Sequence, residues 1–167
     1  MKPHQILAGL GVVGFLAASA VALLAAGPPV EAKGFPKVDG RAVAITLRRE
    51  ACYGTCPIYS VTINGDGRVV YEGEMFVAAT GRRTRQIPPA EVRRLVERFR
   101  AADFYSMKAS YGAPGSDSDS RVVTLRIGRR SKTVTDNNSD APRSLTNLEI
   151  AIDRVAGTAE WVGPRPR

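Results

Sequence analysis

The tetrad Asn64-Gly65-Asp66-Gly67 constrains the fold of this chain more than any other four residues. Asn-Gly and Asp-Gly accept the positive φ values that a tight hairpin turn demands. Before the turn, Tyr59, Val61 and Ile63 alternate with Ser60, Thr62 and Asn64. After it, Arg68 to Phe76 returns with Val69 and Tyr71. Such alternation places one set of side chains on one face of a strand. Upstream, Val43, Ile45 and Leu47 alternate with Ala44, Thr46 and Arg48 and predict a first, half-buried strand. Gly73 and a change of parity before Phe76 predict a bulge. After a turn at Thr80-Gly81, Arg82 to Ile87 reads as a fourth, polar strand at a sheet edge, where arginines discourage further pairing.

Pro88 and Pro89 stop that strand, and Pro89 suits the first turn of a helix. Val92, Leu95, Val96 and Phe99 then recur at helical spacing. Asp103 to Met107 adds a short turn with Phe104 or Tyr105 inward. Tyr111 to Ser120 is a polar loop without periodicity. Arg121 to Ile127 alternates again and turns at Gly128–Arg130 into Lys132 to Asp136. A loop over Asp136 to Asp140 leads to a last helix from Pro142, with Leu145, Leu148, Ile152 and Val155 inward. Trp161 caps the core. The expectation is an α+β fold: an antiparallel sheet built as a four-strand meander, a helix, a two-strand hairpin and a helix, with the helices on one face. Neither GxGxxG nor GxxxxGK[ST] occurs, so a doubly wound nucleotide-binding fold is not expected.

Residues 6–26 form an uncharged apolar stretch after Lys2, followed by Gly27, Pro28 and Pro29. Val30-Glu31-Ala32 has the small-x-small form of a leader cleavage site. Residues 1–32 therefore read as a signal peptide. The alternative is a membrane anchor through 6–26, since 21 residues exceed the usual apolar core of a leader, roughly 7–15, and can span a bilayer. Either way the remainder is exported, to the periplasm or the medium. Residues 33–41 read as a linker, 42–162 as one α+β domain and 163–167 as a disordered tail.

The single histidine, His4, lies in the leader. The exported chain then has no imidazole, which removes Ser-His-Asp triads, Cys-His dyads and HExxH zinc sites together. No catalytic motif replaces them, and no cofactor or metal is expected. Lys and Arg number 24 against 16 Asp and Glu, a net charge of +8. Loss of Lys2 and Glu31 with the leader leaves that balance unchanged. It suits solubility, and also an acidic partner: an anionic envelope polymer, a membrane surface or another protein. Arg82, Arg83, Arg85, Arg129 and Arg130 lie near turns and could form a basic patch. Nucleic acid is not expected, because export separates the chain from it and interleaved exposed aromatics are lacking.

The loop Cys52-Tyr53-Gly54-Thr55-Cys56-Pro57 carries the only cysteines. In an exported chain, two cysteines at this spacing most simply form a disulfide. Two sharper readings stay open. A small strained ring could be a redox-active dithiol, although Lys and His are absent from the loop. CxxxC followed by Pro also resembles the copper loop of Sco-type assembly proteins, over Cys52, Cys56 and Pro57 alone, but the histidine that site needs is missing. A broader resemblance covers most of residues 42–155. Ile45 to Arg49, the run Cys52 to Val61, Gly65-Asp66-Gly67, Tyr71-Glu72-Gly73 and Leu95 to Ser106 together resemble an exported bacterial family, domain-of-unknown-function family 6438, with its C-x-G-x-C-P-x-Y signature at Cys52, Gly54, Cys56, Pro57 and Tyr59. The resemblance implies a bacterial envelope setting and supplies no activity, cofactor or catalytic residue.

Other clusters are weaker. Asp117 with Asp119, and Asp136 with Asp140, lack the further ligands, turn glycine and terminal Glu of a calcium loop and read as solvated turns. Glu72 and Glu74 share one strand face, but Glu72 lies opposite Tyr71 and should point to water. The expected function is therefore a non-catalytic binding domain of the envelope with a structural disulfide. The alternatives are a redox-active thiol protein using Cys52 and Cys56, and an exported inhibitor that presents Tyr53 and its loop to an enzyme.

Overall fold

The computed structural model describes residues 34–36, 42–113, 119–137 and 140–164. Seven strands form one sheet: β1 (Val43–Arg49), β2 (Ile58–Asn64), β3 (Arg68–Met75), β4 (Gly81–Gln86), β5 (Ser110–Tyr111), β6 (Arg121–Ile127) and β7 (Arg130–Asp136). The helices are α1 (Pro89–Ala101), α2 (Arg143–Ala156) and the short α3 (Ala159–Val162), with a 3₁₀ turn at Phe104–Ser106. The strand order is β4-β3-β2-β1-β6-β7-β5. The class is α+β, as expected.

Alternation in sequence becomes layering in space. Leu47 lies opposite Val61 on one side and Val123 on the other, and the row continues to Tyr71 and to Val134. All five side chains are fully buried. Full burial of such a side chain contributes about 1.5–3 kcal/mol. The helices cover this face: Val92, Leu95, Val96 and Phe99 of α1 and Leu145, Leu148 and Ile152 of α2 join the same core. The opposite parity carries polar residues, among them Thr46 and Thr62, whose hydroxyls bond across β1 and β2 at 3.0 Å.

Gly67 closes the β2–β3 turn at φ 89°, and a Cβ there would stand 2.1 Å from the Ile87 carbonyl oxygen. Turn geometry and close approach therefore both require glycine. The expected bulge is present: Ile58 pairs with Met75 but Tyr59 with Gly73, so Glu74 is the extra residue. β4 is an edge strand, as expected, and β5 forms the other edge.

The topology departs from the expectation in two respects. The β6–β7 hairpin does not stand apart from the meander but adds to β1, so that β1 is central. The start of the polar loop at 111–120 is strand, not loop: Ser110–Tyr111 pairs parallel with β7, making the sheet mixed. Asn137 secures it, its amide nitrogen donating to the Tyr111 and Gly112 carbonyls and to the Ser110 hydroxyl. Two residues are too few to show alternation, so no pattern announced this strand. In α2, Val155 is only partly buried, and Glu149 lies inside instead at 1% exposure. Phe104 is fully buried and stacks edge-on against Phe99, while Tyr105 is partly buried. The expected leader at 1–32, most of the expected linker at 33–41 and residues 165–167 of the expected tail at 163–167 lie outside the described residues, as do Asp117 and residues 138–139.

Candidate functional site

At one end of the sheet, the chain leaves β1 at Arg49, makes the cysteine loop and re-enters at Ile58. Cys52 and Cys56 are joined by a disulfide, with Cα atoms 5.7 Å apart. Within the ring the Gly54 amide donates to the Cys52 carbonyl at 2.8 Å. Tyr53 projects outward and is 93% exposed. The end of β3 lies alongside, because Ile58 pairs with Met75. Met75 and Phe76 there are exposed too, and Phe76 holds a left-handed φ of 56°, a conformation that costs a non-glycine residue about 1–3 kcal/mol. Three of the four exposed large apolar side chains among the described residues thus lie on the cysteine loop and at the adjoining end of β3.

Between the cysteine loop and the segment from α2 to α3 lies a cleft of about 860 Å³. All five signature residues, Cys52, Gly54, Cys56, Pro57 and Tyr59, line it. Its floor is a closed polar network. The Tyr59 hydroxyl donates to Asp153 Oδ1 at 2.7 Å and accepts from Arg49 Nε at 2.9 Å. Arg49 Nη2 donates to Asp153 Oδ2 at 2.7 Å. The Thr158 hydroxyl donates to Asp153 Oδ1 at 2.9 Å. Burial alone would make Arg49 less basic, but Asp153 and Tyr59 outweigh it and raise its pKa. Burial, reinforced by Asp153, pushes the Tyr59 phenol well above its ordinary value. Neither group can exchange a proton near neutral pH.

Behind the floor a second set of charges is buried more deeply. Arg121 Nη1 donates to Glu149 Oε2 at 3.1 Å and lies 3.8 Å from Asp136. Burial pushes the Glu149 carboxyl up to about 7, against the pull of Arg121 and with the help of Asp136. An aromatic ladder runs sideways from the floor. Tyr59 packs on Tyr71 with ring centres 5.4 Å apart, Tyr71 on Trp161 at 5.0 Å, and the Arg85 guanidinium over Trp161 at 4.5 Å. The Tyr71 hydroxyl is buried with no hydrogen-bond partner among the described residues, and burial raises its pKa to about 12.

The five arginines grouped from the sequence do not come together. Arg82 and Arg83 lie on the edge strand toward the disulfide end, because Gly81 pairs with Gly73 and Gly73 with Tyr59. Arg129 and Arg130 lie at the β6–β7 turn, at the far end of the sheet. Five strand steps separate β4 from β7, about 24 Å. Arg85 is committed to Trp161 and Glu160, and Arg130 to Tyr105 and the Gly34 carbonyl. Nearness to turns misled because the turns belong to opposite ends of the sheet. Glu72 and Glu74 are exposed, as expected. Asp119 pairs with arginines rather than standing in a solvated turn. Among the described residues no group of three or more His, Cys, Asp or Glu could hold a metal.

Sequence reading missed Arg49, Asp153 and Thr158 as floor residues, and Arg121 with Glu149. A signal was present. Arg49 continues the buried parity of Val43, Ile45 and Leu47, and Arg121 that of Val123 and Leu125. Glu149 falls on the apolar stripe of α2. Charged residues at inward positions need buried partners.

A mostly antiparallel sheet with helices on one face and a disulfide-bounded cleft at its end defines a small α+β domain. The chain belongs to the family described as a domain of unknown function (DUF6438), which it matches over residues 43–156. No curated protein matches the chain. The disulfide is consistent with an extracellular or periplasmic location. Among the described residues no helix is long and apolar enough to cross a membrane.

Proposed function

We propose that this is an exported bacterial envelope domain that acts by binding a macromolecular partner at the disulfide end of the sheet. The observation that carries this reading is Tyr53, almost wholly exposed on a bridged loop at the mouth of the cleft, with Met75 and Phe76 beside it. A rigid aromatic side chain gives contact area at low entropic cost, which is why tyrosine anchors so many interfaces. The chemistry of the cleft supports binding over catalysis. Tyr59 and Arg49 of its floor are tied up in internal bonds and shifted away from neutrality. Glu149 is pushed up to about 7, but at 1% exposure it lies behind Arg121 and outside the cleft lining. General acid-base work needs both a suitable pKa and reach to a substrate.

The test is Tyr53→Ala, assayed by thermal unfolding and by co-sedimentation with the cell-envelope fraction. The expected result is an unchanged melting temperature and lost sedimentation. Unchanged sedimentation would overturn the reading. The inhibitor alternative uses the same loop and differs only in having an enzyme as partner. Thiol exchange stands second, on the observation that both bridge cysteines line the cleft. A reduction potential far below that of the compartment would exclude it. Export is checked by intact mass after alkylation without reduction: a chain starting at Lys33 and carrying no alkyl group fits the proposal.

A further inference from the structure

The charges around the cleft are unevenly satisfied. Arg49 uses Nε and Nη2 on Tyr59 and Asp153. Its Nη1 faces Asp119 Oδ2 at 3.6 Å, longer than a hydrogen bond. Arg121 faces the same oxygen through Nε at 3.7 Å, and that Nε is buried with no hydrogen-bond partner among the described residues. Asp119 therefore stands between two guanidinium groups, near enough to offset their charge and too far to bond either. Its side chain is 31% exposed and borders open cleft. Arg154 of α2 lines the same cleft, exposed and without an ion pair among the described residues.

A carboxylate that reached Arg49 Nη1 directly, with Arg154 as a second cation, would form charge-assisted bonds that Asp119 does not form. The same cleft is also lined by Pro57, Ala159 and Val162, and by the exposed Tyr53. A cleft that combines two arginines with small apolar lining residues suits the last residue of a peptide, which brings a carboxylate and a side chain together. We infer that the cleft takes the free carboxylate of a peptide C-terminus at Arg49 and Arg154, displacing Asp119 toward solvent. This rests on the cleft end being the binding surface. Asp119 is then a built-in competitor, which keeps the site neutral when empty and sets a modest affinity.

The test is a nuclear magnetic resonance titration of the exported, isotope-labelled protein at fixed ionic strength. The probes are N-acetyl-alanyl-alanine, its C-terminal amide, and glucuronate. The free acid should shift the amides of Gly54, Gly157 and Thr158 and bind at least roughly tenfold more tightly than the amide, as expected for a charge-assisted bond. Asp119→Asn should tighten the acid by roughly two- to fivefold, the scale of one partly exposed ion pair, and leave the amide unchanged. Arg154→Gln should weaken the acid by roughly tenfold. Equal binding of acid and amide would overturn the carboxylate assignment while leaving the cleft as a binding site. Tighter binding of glucuronate than of the peptide acid would overturn the peptide. Absence of cleft shifts with every probe would overturn the inference outright, and the Tyr53→Ala sedimentation result would still decide the binding surface separately.

Discussion

Raising the pH from about 5 to about 8 should weaken this fold, and Glu149 is the reason. Its carboxyl is 1% exposed on the inner face of α2. The groups around it are Arg121, bonded at 3.1 Å, with Asp136 nearby and Arg49 further off, and Asp119 on the other side of Arg121. Its pKa is pushed up to about 7 in the folded chain, against an ordinary 4.5. Between those values the folded state holds a proton that the unfolded state has released. Stability must then fall as pH rises through the window, and the loss is complete above the folded value. At about 1.4 kcal/mol per tenfold change in proton affinity, the shift corresponds to about 3 kcal/mol. The assay is urea denaturation at both pH values and constant ionic strength, followed by fluorescence of the single tryptophan, Trp161. Glu149→Gln keeps an acceptor for Arg121 and removes the titration, so its stability should change much less across the same range. A wild-type protein that is more stable at pH 8, or a variant with the same pH slope as wild type, would refute the reasoning.

Three further outcomes are expected. Tyr71→Phe removes a buried hydroxyl with no hydrogen-bond partner among the described residues and should raise stability by about 1 kcal/mol, measured by denaturant melts. Opening the Cys52–Cys56 ring by Cys→Ala at both positions should cost about 2 kcal/mol or less, because the closed loop is short, and should leave the far-ultraviolet circular dichroism unchanged. Gly67→Ala should destabilise by more than about 1 kcal/mol in a thermal melt, since the turn requires a positive φ and Ile87 blocks a Cβ.

Local pattern carried the fold a long way. Period-two runs located β1, β2, β3 and β6, the glycine turn gave the hairpin, and Pro89 and Pro142 marked where α1 and α2 begin. Local pattern does not say which strands become neighbours. That the β6–β7 hairpin would add to β1 depends on the whole apolar face being closed by one pair of helices, a property no window of residues contains. The site divides in the same way. The signature loop announced itself through its cysteines, glycine and proline. The floor did not, because Arg49 and Asp153 meet across 104 residues of chain. Arg82 and Arg130 show the converse error, two arginines near turns that the sheet holds at opposite ends.

The span between Arg49 and Asp153 also orders events during folding. Cys52 and Cys56 are four residues apart and can find each other without waiting for the rest of the fold. The cleft must wait, because its floor and one wall come from α2 and the residues after it. A chain whose α2 and α3 have not yet docked can carry a closed bridge and an exposed Tyr53, but lacks the floor and one wall of the cleft. The proposed binding cleft is therefore complete only once α2 and α3 have docked. A partner of the proposed kind would therefore recognise the docked fold and not the cysteine loop alone.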